Sequence, residues 1–386
     1  MKSVDKFTYI CADPGIPIPG QKGASIHVAS ICKAFRELGL QGDLYTIRPE
    51  AKSIEGIPIH TMELPPRRKY KSIEERETRL FLARLDNIET VHDFVYERYS
   101  LWHPGGLYLA RKFGVPFVLE VNSPLALESK KYRQLANESL AVGISRLLLR
   151  EADVVICVSE EIKKWVESER EHSEGVVLVP NGVDSEVFSP KANTRPSGLP
   201  PAGVPILGFT GSFRPWHGIH DLLQSFEILV KDLGSNAHLL CIGDGPEKHA
   251  FEINVQKKGL SDRIHFTGSI PHSEVGEWLG ACDLGVAPYP SMEDFWFSPL
   301  KIYEYFSSGL PVVATDRGQI SDIVVEDRGT LVQAGDTKGF ALAIQSQISD
   351  LKKLSEAGQS CRQWILENST WKIRARQILD AVEKAK

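Results

Sequence analysis

The chain has no Cys-x-x-Cys pair, and its six cysteines are scattered singly. Most lie in apolar runs, such as Val154-Val155-Ile156-Cys157-Val158 and Leu239-Leu240-Cys241-Ile242. That pattern reads as reduced, buried thiol in a cytosolic protein and leaves no disulfide or zinc framework. No apolar run reaches the roughly 20 residues of a membrane-crossing helix, and no basic flank followed by an apolar stretch opens the chain. Positive charge is not in excess either. The formal net charge is −5, which argues against nucleic acid as the main partner. After the first strand the glycines fall at Gly15, Gly20 and Gly23, so the GxGxxG of a dinucleotide dehydrogenase is missing. No internal repeat is visible.

What is present is alternation. At 386 residues with 42% hydrophobic content, the chain is long enough for two cores. Strands are expected at Phe7-Thr8-Tyr9-Ile10-Cys11, Asp43 to Thr46, Phe94 to Tyr96, Phe117 to Val121 and Val154 to Val158, with helical stretches such as Gly23 to Leu38 between most of them. The pattern restarts at Pro205 to Thr210 and continues through His238 to Ile242, Ile264 to Phe266, Leu284 to Ala287 and Val312 to Ala314. A polar, Pro- and Gly-rich run from Ser189 to Gly203 joins the two series. Continuous apolar strands alternating with helices predict an α/β protein of two Rossmann-like, doubly wound domains facing a cleft. The expected division is 1–187 and 188–367. Ile365 to Lys386 is helical by pattern, and a C-terminal helix over about 368–386 returns to the first domain.

The densest signal is the run from Phe297 to Thr315: a small-residue loop Ser298-Pro299-Leu300, a short helix carrying Lys301 and Glu304, a Gly stop, then the strand Pro311-Val312-Val313-Ala314. Free N–H groups and the positive dipole end at a helix start suit a phosphate. A carboxylate further along the same element can accept hydrogen bonds from sugar hydroxyls. Phosphate at one end and hydroxyl acceptor at the other is what a nucleotide-sugar requires; a capped helix with a solvated Glu fits the same letters.

Further landmarks are Gly20-Gln21-Lys22-Gly23-Ala24-Ser25-Ile26-His27, Val179-Pro180-Asn181-Gly182-Val183-Asp184, Gly211-Ser212-Phe213-Arg214-Pro215-Trp216-His217-Gly218, Gly243-Asp244-Gly245-Pro246 and Phe266-Thr267-Gly268-Ser269-Ile270. In this order and at these separations the chain resembles glycosyltransferase family 4, with its GT-B fold and retaining mechanism. The resemblance implies that Glu304 holds the nucleotide ribose and that the amides of Ser298 and Leu300, flanking Pro299, approach the diphosphate. It places Gly23 and Ala24 on the distal phosphate, the loop that carries Ser212, Arg214 and His217 at the phosphates, Ile270 beside the base, and Gly243 and Ser269 among the donor-binding residues. Ile270 backbone groups would pair with the edge of a uracil. No Asp-x-Asp stands on a loop, and the resemblance implies a donor site that requires no metal and no cofactor.

Three departures from the family pattern stand out. Trp296 occupies the place of the first acid of the family's paired-Glu motif, which contacts a sugar hydroxyl. Glu293 or Asp294 could substitute for it, or both could be solvated acids. The phosphate loop carries Ser212 and His217 where the family has Arg and Lys. Arg214 and Lys301 are therefore the basic candidates; Lys301 could instead pair with Glu304 one turn on, and His217 could serve as a neutral donor or as a cation at acid pH. Asn122 stands where the family often has a His near the transferred sugar. An amide bonds hydroxyls but shuttles no proton, which a front-face mechanism tolerates because the leaving phosphate takes the acceptor's proton. Arg98 is a candidate for phosphate or an anionic acceptor, and Glu97 for orienting an acceptor hydroxyl or partnering Arg98. The pair also reads as exposed charges at a strand end.

The basic runs Arg67-Arg68-Lys69-Tyr70-Lys71 and Lys130-Lys131-Tyr132-Arg133 fall in the acceptor-side domain. They would attract anionic headgroups at the inner membrane face, or form a solvated surface balanced by nearby Glu. The expected activity is transfer of a hexose from a nucleotide-sugar, UDP-glucose or another UDP-hexose, to a glycan, polysaccharide or lipid-linked glycan acceptor. Asn122, Glu304, Lys301 and Arg214 form its catalytic group. The competing readings are a GT-B UDP-sugar epimerase, which needs no acceptor, and a non-catalytic nucleotide- or glycan-binding relative.

Overall fold

The computed structural model describes residues 4–64, 80, 85, 88–132, 134–190, 195–292, 295, 296, 298–325 and 327–386. These divide into two compact units, 1–181 with 296–298 and 371–386, and 182–295 with 299–370. The first unit holds an eight-stranded sheet in the order β3-β4-β2-β1-β5-β6-β7-β8. Its strands are β1 Lys6–Cys11, β2 Gln41–Thr46, β3 Ser53–Ile54, β4 Ile57–Thr61, β5 Val95–Arg98, β6 Phe117–Val121, β7 Val154–Cys157 and β8 Val176–Leu178. All neighbours are parallel except β3 with β4. The central strands are buried on both faces because helices cover both, as a parallel sheet requires.

Helices α1 Gly23–Glu37, α2 Gly105–Phe113, α3 Leu125–Tyr132, α4 Glu138–Glu151 and α5 Glu160–Arg170 follow in chain order. In α1 the buried Val28, Ile31, Ala34 and Phe35 repeat at helical spacing and form one apolar stripe. Its N-terminus has no side-chain cap, so the first-turn N–H groups at Gly23 and Ala24 are left without that partner.

The second unit is a six-stranded parallel sheet, β11-β10-β9-β12-β13-β14. Its strands are β9 Ile206–Thr210, β10 His238–Ile242, β11 Ile264–Gly268, β12 Leu284–Ala287, β13 Val312–Thr315 and β14 Gly329–Val332. Helices α6 Ile219–Glu227, α7 Lys248–Lys257, α8 His272–Leu279, α9 Leu300–Ser307, α10 Gln319–Ile323, α11 Thr337–Ile348 and α12 Leu351–Asn368 connect and cover them. α6 is followed without a break by a π-turn over Ile228–Asp232.

The helical stretch expected from Ile365 onward is two helices. It breaks after Asn368, where the Ser369 carbonyl turns to accept the Val183 N–H at 3.0 Å, and resumes as α13 Trp371–Ala385. α13 belongs to the first unit and packs on α1 and β7. All six cysteines are free and buried.

Candidate functional site

In the second unit the loops after the strands carry the expected residues. β9 ends at Thr210, and the chain turns through Gly211, Ser212, Phe213 and Arg214 into a 3-10 turn, Pro215–His217, before α6. Phe213 is fully buried with φ 41, a left-handed conformation that a bulky residue adopts only under constraint. Gly243, φ 127, closes against this loop; a Cβ there would stand 2.2 Å from the Gly211 carbonyl oxygen. Ser212 and Arg214 are exposed, with the Arg214 guanidinium 5.7 Å from the Trp216 ring. α9 begins at Leu300 after Pro299, with no side-chain cap. Its first-turn N–H groups thus lack the partner a capping side chain would give.

Lys301, in the first turn of α9, is the unusual group. Its Nζ is buried with no hydrogen-bond partner and lies 4.6 Å from the Phe209 ring centre and 5.0 Å from that of Tyr289. Burial pushes the ammonium down to about 7, against the pull of Glu304. His217 Nδ1 is likewise buried and unpartnered. Burial, then the charges of Lys301 and Arg214, push its imidazole down to about 2. In the unliganded protein this favours the neutral imidazole over the cation. Two buried nitrogens without hydrogen-bond partners, backed by aromatic faces and near an uncapped helix start, are groups that a bound anion can satisfy.

Glu304 does not pair with Lys301. Its Oε1 accepts from His272 Nε2 at 2.9 Å. Burial works against the His272 charge, but the hydrogen bond and charge of Glu304 outweigh it and raise the imidazole above its ordinary value. His272 opens α8, directly after Ser269, Ile270 and Pro271; Ser269 is exposed and Ile270 half-buried, not core. Sequence reasoning missed His272, although its place two residues beyond Ile270 was a usable signal.

In the first unit, the strand ends converge on Glu120, buried in β6. Its Oε2 accepts from His27 at 2.8 Å and from Tyr96, and its Oε1 from Arg98 at 2.8 Å and Asn122 Nδ2 at 2.6 Å. Burial alone would raise this carboxyl, but His27, Arg98 and Tyr96 hold it well below the carboxylate range. As an ionised acceptor it fixes the Asn122 amide with its NH2 inward and its carbonyl oxygen outward. His27 Nδ1 meets Asn181 Oδ1 at 2.9 Å. Asn181 Nδ2 in turn donates to the Ser298 carbonyl at 3.0 Å, and its backbone N–H to the Ser298 hydroxyl at 3.2 Å. The sole sequence signal for Glu120 was a charge inside an otherwise apolar strand; His27 and Asn181 stood in landmark runs but drew no role of their own.

The reading of Glu97 as an acceptor-orienting group or partner of Arg98, and that of the two as exposed charges, are corrected. Glu97 is fully buried and faces away from Arg98: its Oε2 accepts the Gly106 N–H at 2.9 Å and its Oε1 lies 3.9 Å from His103 Nδ1. Burial raises its carboxyl against those partners, and a side chain so enclosed meets no acceptor. Arg98 is anchored to Glu120 rather than exposed. Trp296 belongs to the first unit, where its indole packs on the core and its carbonyl accepts from Ser159 Oγ at 2.6 Å. Glu293, Asp294, Arg133 and the basic run at 67–71 lie outside the described residues. No described helix is long and apolar enough to cross a membrane.

The family model described as Glycosyltransferase Family 4 matches residues 21–187, and that described as Glycosyl transferases group 1 matches 204–350. Among curated relatives, a 2-deoxystreptamine glucosyltransferase of Streptomyces kanamyceticus is 26% identical over 68% of this chain and 69% of its own length. A lipopolysaccharide core biosynthesis mannosyltransferase of Rhizobium meliloti is 30% identical over 58% of this chain and 63% of its own. Among solved structures, a sucrose-phosphate synthase from Thermosynechococcus elongatus superposes with a TM-score of 0.77 at 21% identity, covering 98% of each chain. Anabaena HepE in complex with UDP-glucose superposes with a TM-score of 0.71 at 18% identity, covering 98% of this chain and 99% of its own. Two parallel α/β units with these neighbours are the GT-B fold of glycosyltransferases. The chain belongs to glycosyltransferase family 4.

Proposed function

We propose that this glycosyltransferase is a retaining enzyme that moves a hexose from a UDP-sugar, with UDP-glucose the leading donor, to a glycan or lipid-linked glycan. One observation carries the reading: the buried, unpartnered ammonium of Lys301 beside the unpartnered His217 Nδ1, at the start of α9. An isolated buried cation is costly, and a diphosphate would satisfy it. Lys301, Arg214, His217 and the first α9 amides would hold the diphosphate, with Ser298, Ser212 and Gly243 lining the approach. Glu304 would take the ribose and Ile270 the base edge. Gly23 and Ala24 are assigned to the distal phosphate. These fixed groups meet the charge that develops as the bond from anomeric carbon to phosphate oxygen breaks, so no metal is invoked. In the front-face step the acceptor oxygen bonds to the anomeric carbon on the face the diphosphate leaves. The departing phosphate oxygen takes the acceptor's proton, and Asn122 hydrogen-bonds a hydroxyl without moving one.

A UDP-linked donor is supported by the UDP-glucose complex of a fold neighbour, and a hexose by relatives named for glucosyl and mannosyl transfer. Peripheral contact with a membrane face is carried only by Lys130 and Lys131 among the described residues, and Lys130 is paired with Glu138 at 2.6 Å. The test is a thermal-shift panel of UDP, GDP, ADP and their sugar conjugates, without and then with magnesium. Stabilisation by UDP and one UDP-hexose without metal is expected, about 2.7 kcal/mol at ~100 times the dissociation constant. Stabilisation only by GDP conjugates, or only with magnesium, would overturn the donor or the metal-free part respectively.

A further inference from the structure

Resting on the ribose assignment above, the geometry around Glu304 singles out a neighbour that the sequence did not. We propose that His272 is a positioning residue for nucleotide recognition, holding one oxygen of Glu304 so that the other is aimed at a ribose hydroxyl. A carboxylate only accepts, so the 2.9 Å contact requires the hydrogen on His272 Nε2. Among the described residues no second group bonds the Glu304 carboxylate, whose side chain is 13% exposed, so Oε2 is open to a ligand. His272 is itself held: the Phe188 ring meets its imidazole edge-on at 5.1 Å. Pro271 fixes the backbone just before it, and α8 starts at His272 itself. A free Glu has three rotatable bonds. One tethered at Oε1 loses that freedom before the ligand arrives, and the entropy is not charged to binding.

The arrangement joins two recognition tasks on one loop. Ile270 is assigned to the base edge, and His272, two residues on, governs the ribose carboxylate. A loop shifted by a wrong base would pull His272 from Glu304 and weaken ribose recognition as well.

The experiment is a calorimetric titration with UDP and with 2′,3′-dideoxyuridine 5′-diphosphate, which lacks both ribose hydroxyls. Wild type should prefer UDP. His272→Ala should lose about tenfold in UDP affinity and less than about twofold for the dideoxy compound, since only a hydroxyl can report the carboxylate's aim. His272→Gln, whose amide N–H reaches a similar place, should recover most of the UDP preference. A variant merely damaged in packing would weaken both ligands together. His272→Ala retaining the full UDP preference, or losing both ligands equally, overturns the positioning role while leaving Glu304 on the ribose. Wild type that fails to distinguish the two ligands removes the ribose assignment itself, and the inference with it.

Discussion

Lys301 shows how one residue can report a bound ligand through its own discomfort. Its ammonium is held at about 7 in the folded, unliganded protein, whereas an unfolded Lys titrates near ~10.4. Between those values the unfolded chain binds more protons than the folded one, so this group's contribution to stability rises with pH. A diphosphate beside it reverses the preference and raises the ammonium's pKa. UDP affinity should therefore fall as pH rises beyond about 7, because each binding event must then take up a proton. Lys301→Met should cut UDP affinity at neutral pH by at least about tenfold, a charged hydrogen bond's share. It should also abolish the decline above neutrality while leaving the unliganded protein as stable or more so. Titration calorimetry in two buffers of different ionisation enthalpy reads the proton directly. An unchanged pH profile in the Met variant would remove Lys301 from the phosphate site.

At the scale of elements, the loop between β9 and α6 is built to a tolerance that one glycine sets. Gly218 has φ 69, and a Cβ there would lie 1.5 Å from the Pro288 carbonyl oxygen. Gly218→Ala must move backbone, so it should cost more than about 2 kcal/mol in urea unfolding and displace His217 enough to weaken UDP. A loss of stability within a few tenths would show the loop to be compliant. This loop also marks what a sequence can disclose. Gly211, Gly218 and Gly243 announce tight turns because glycine has few other reasons to recur after apolar strands. The central strands were legible for a similar reason, since burial on both faces leaves an unbroken apolar run. The short strands β3, β4, β8 and β14 escaped because their partly exposed side chains blur that run. The break at Ser369 was invisible because its cause is the N–H of Val183, far away in the chain. Glu97 and Glu120 defeated the reading differently. Each is a carboxylate inside the core, kept there by partners that only the folded sheet brings near, His103 and Gly106 for one, His27 and Arg98 for the other.

For the whole molecule, the open question is which loops a bound donor engages. The groups proposed to hold the donor, Lys301, His217, Glu304 and His272, all belong to the second unit. The assignment of Gly23 and Ala24 rests on the family resemblance and on the absence of a side-chain cap at the start of α1. Amide exchange tests both sets of residues. UDP should slow exchange in the second unit at 211–218, 243–245 and 268–272 and in the first turn of α9, because opening these loops would then cost the binding free energy as well. If Gly23 and Ala24 reach the distal phosphate, the first amides of α1 should be slowed too, and more by UDP than by UMP, which lacks that phosphate. Slowing in the second unit alone, alike for UDP and UMP, would take Gly23 and Ala24 out of the donor site and leave the diphosphate to Lys301, His217 and Arg214. The difference between the two nucleotides carries the weight, since a general stiffening of the chain would accompany either one.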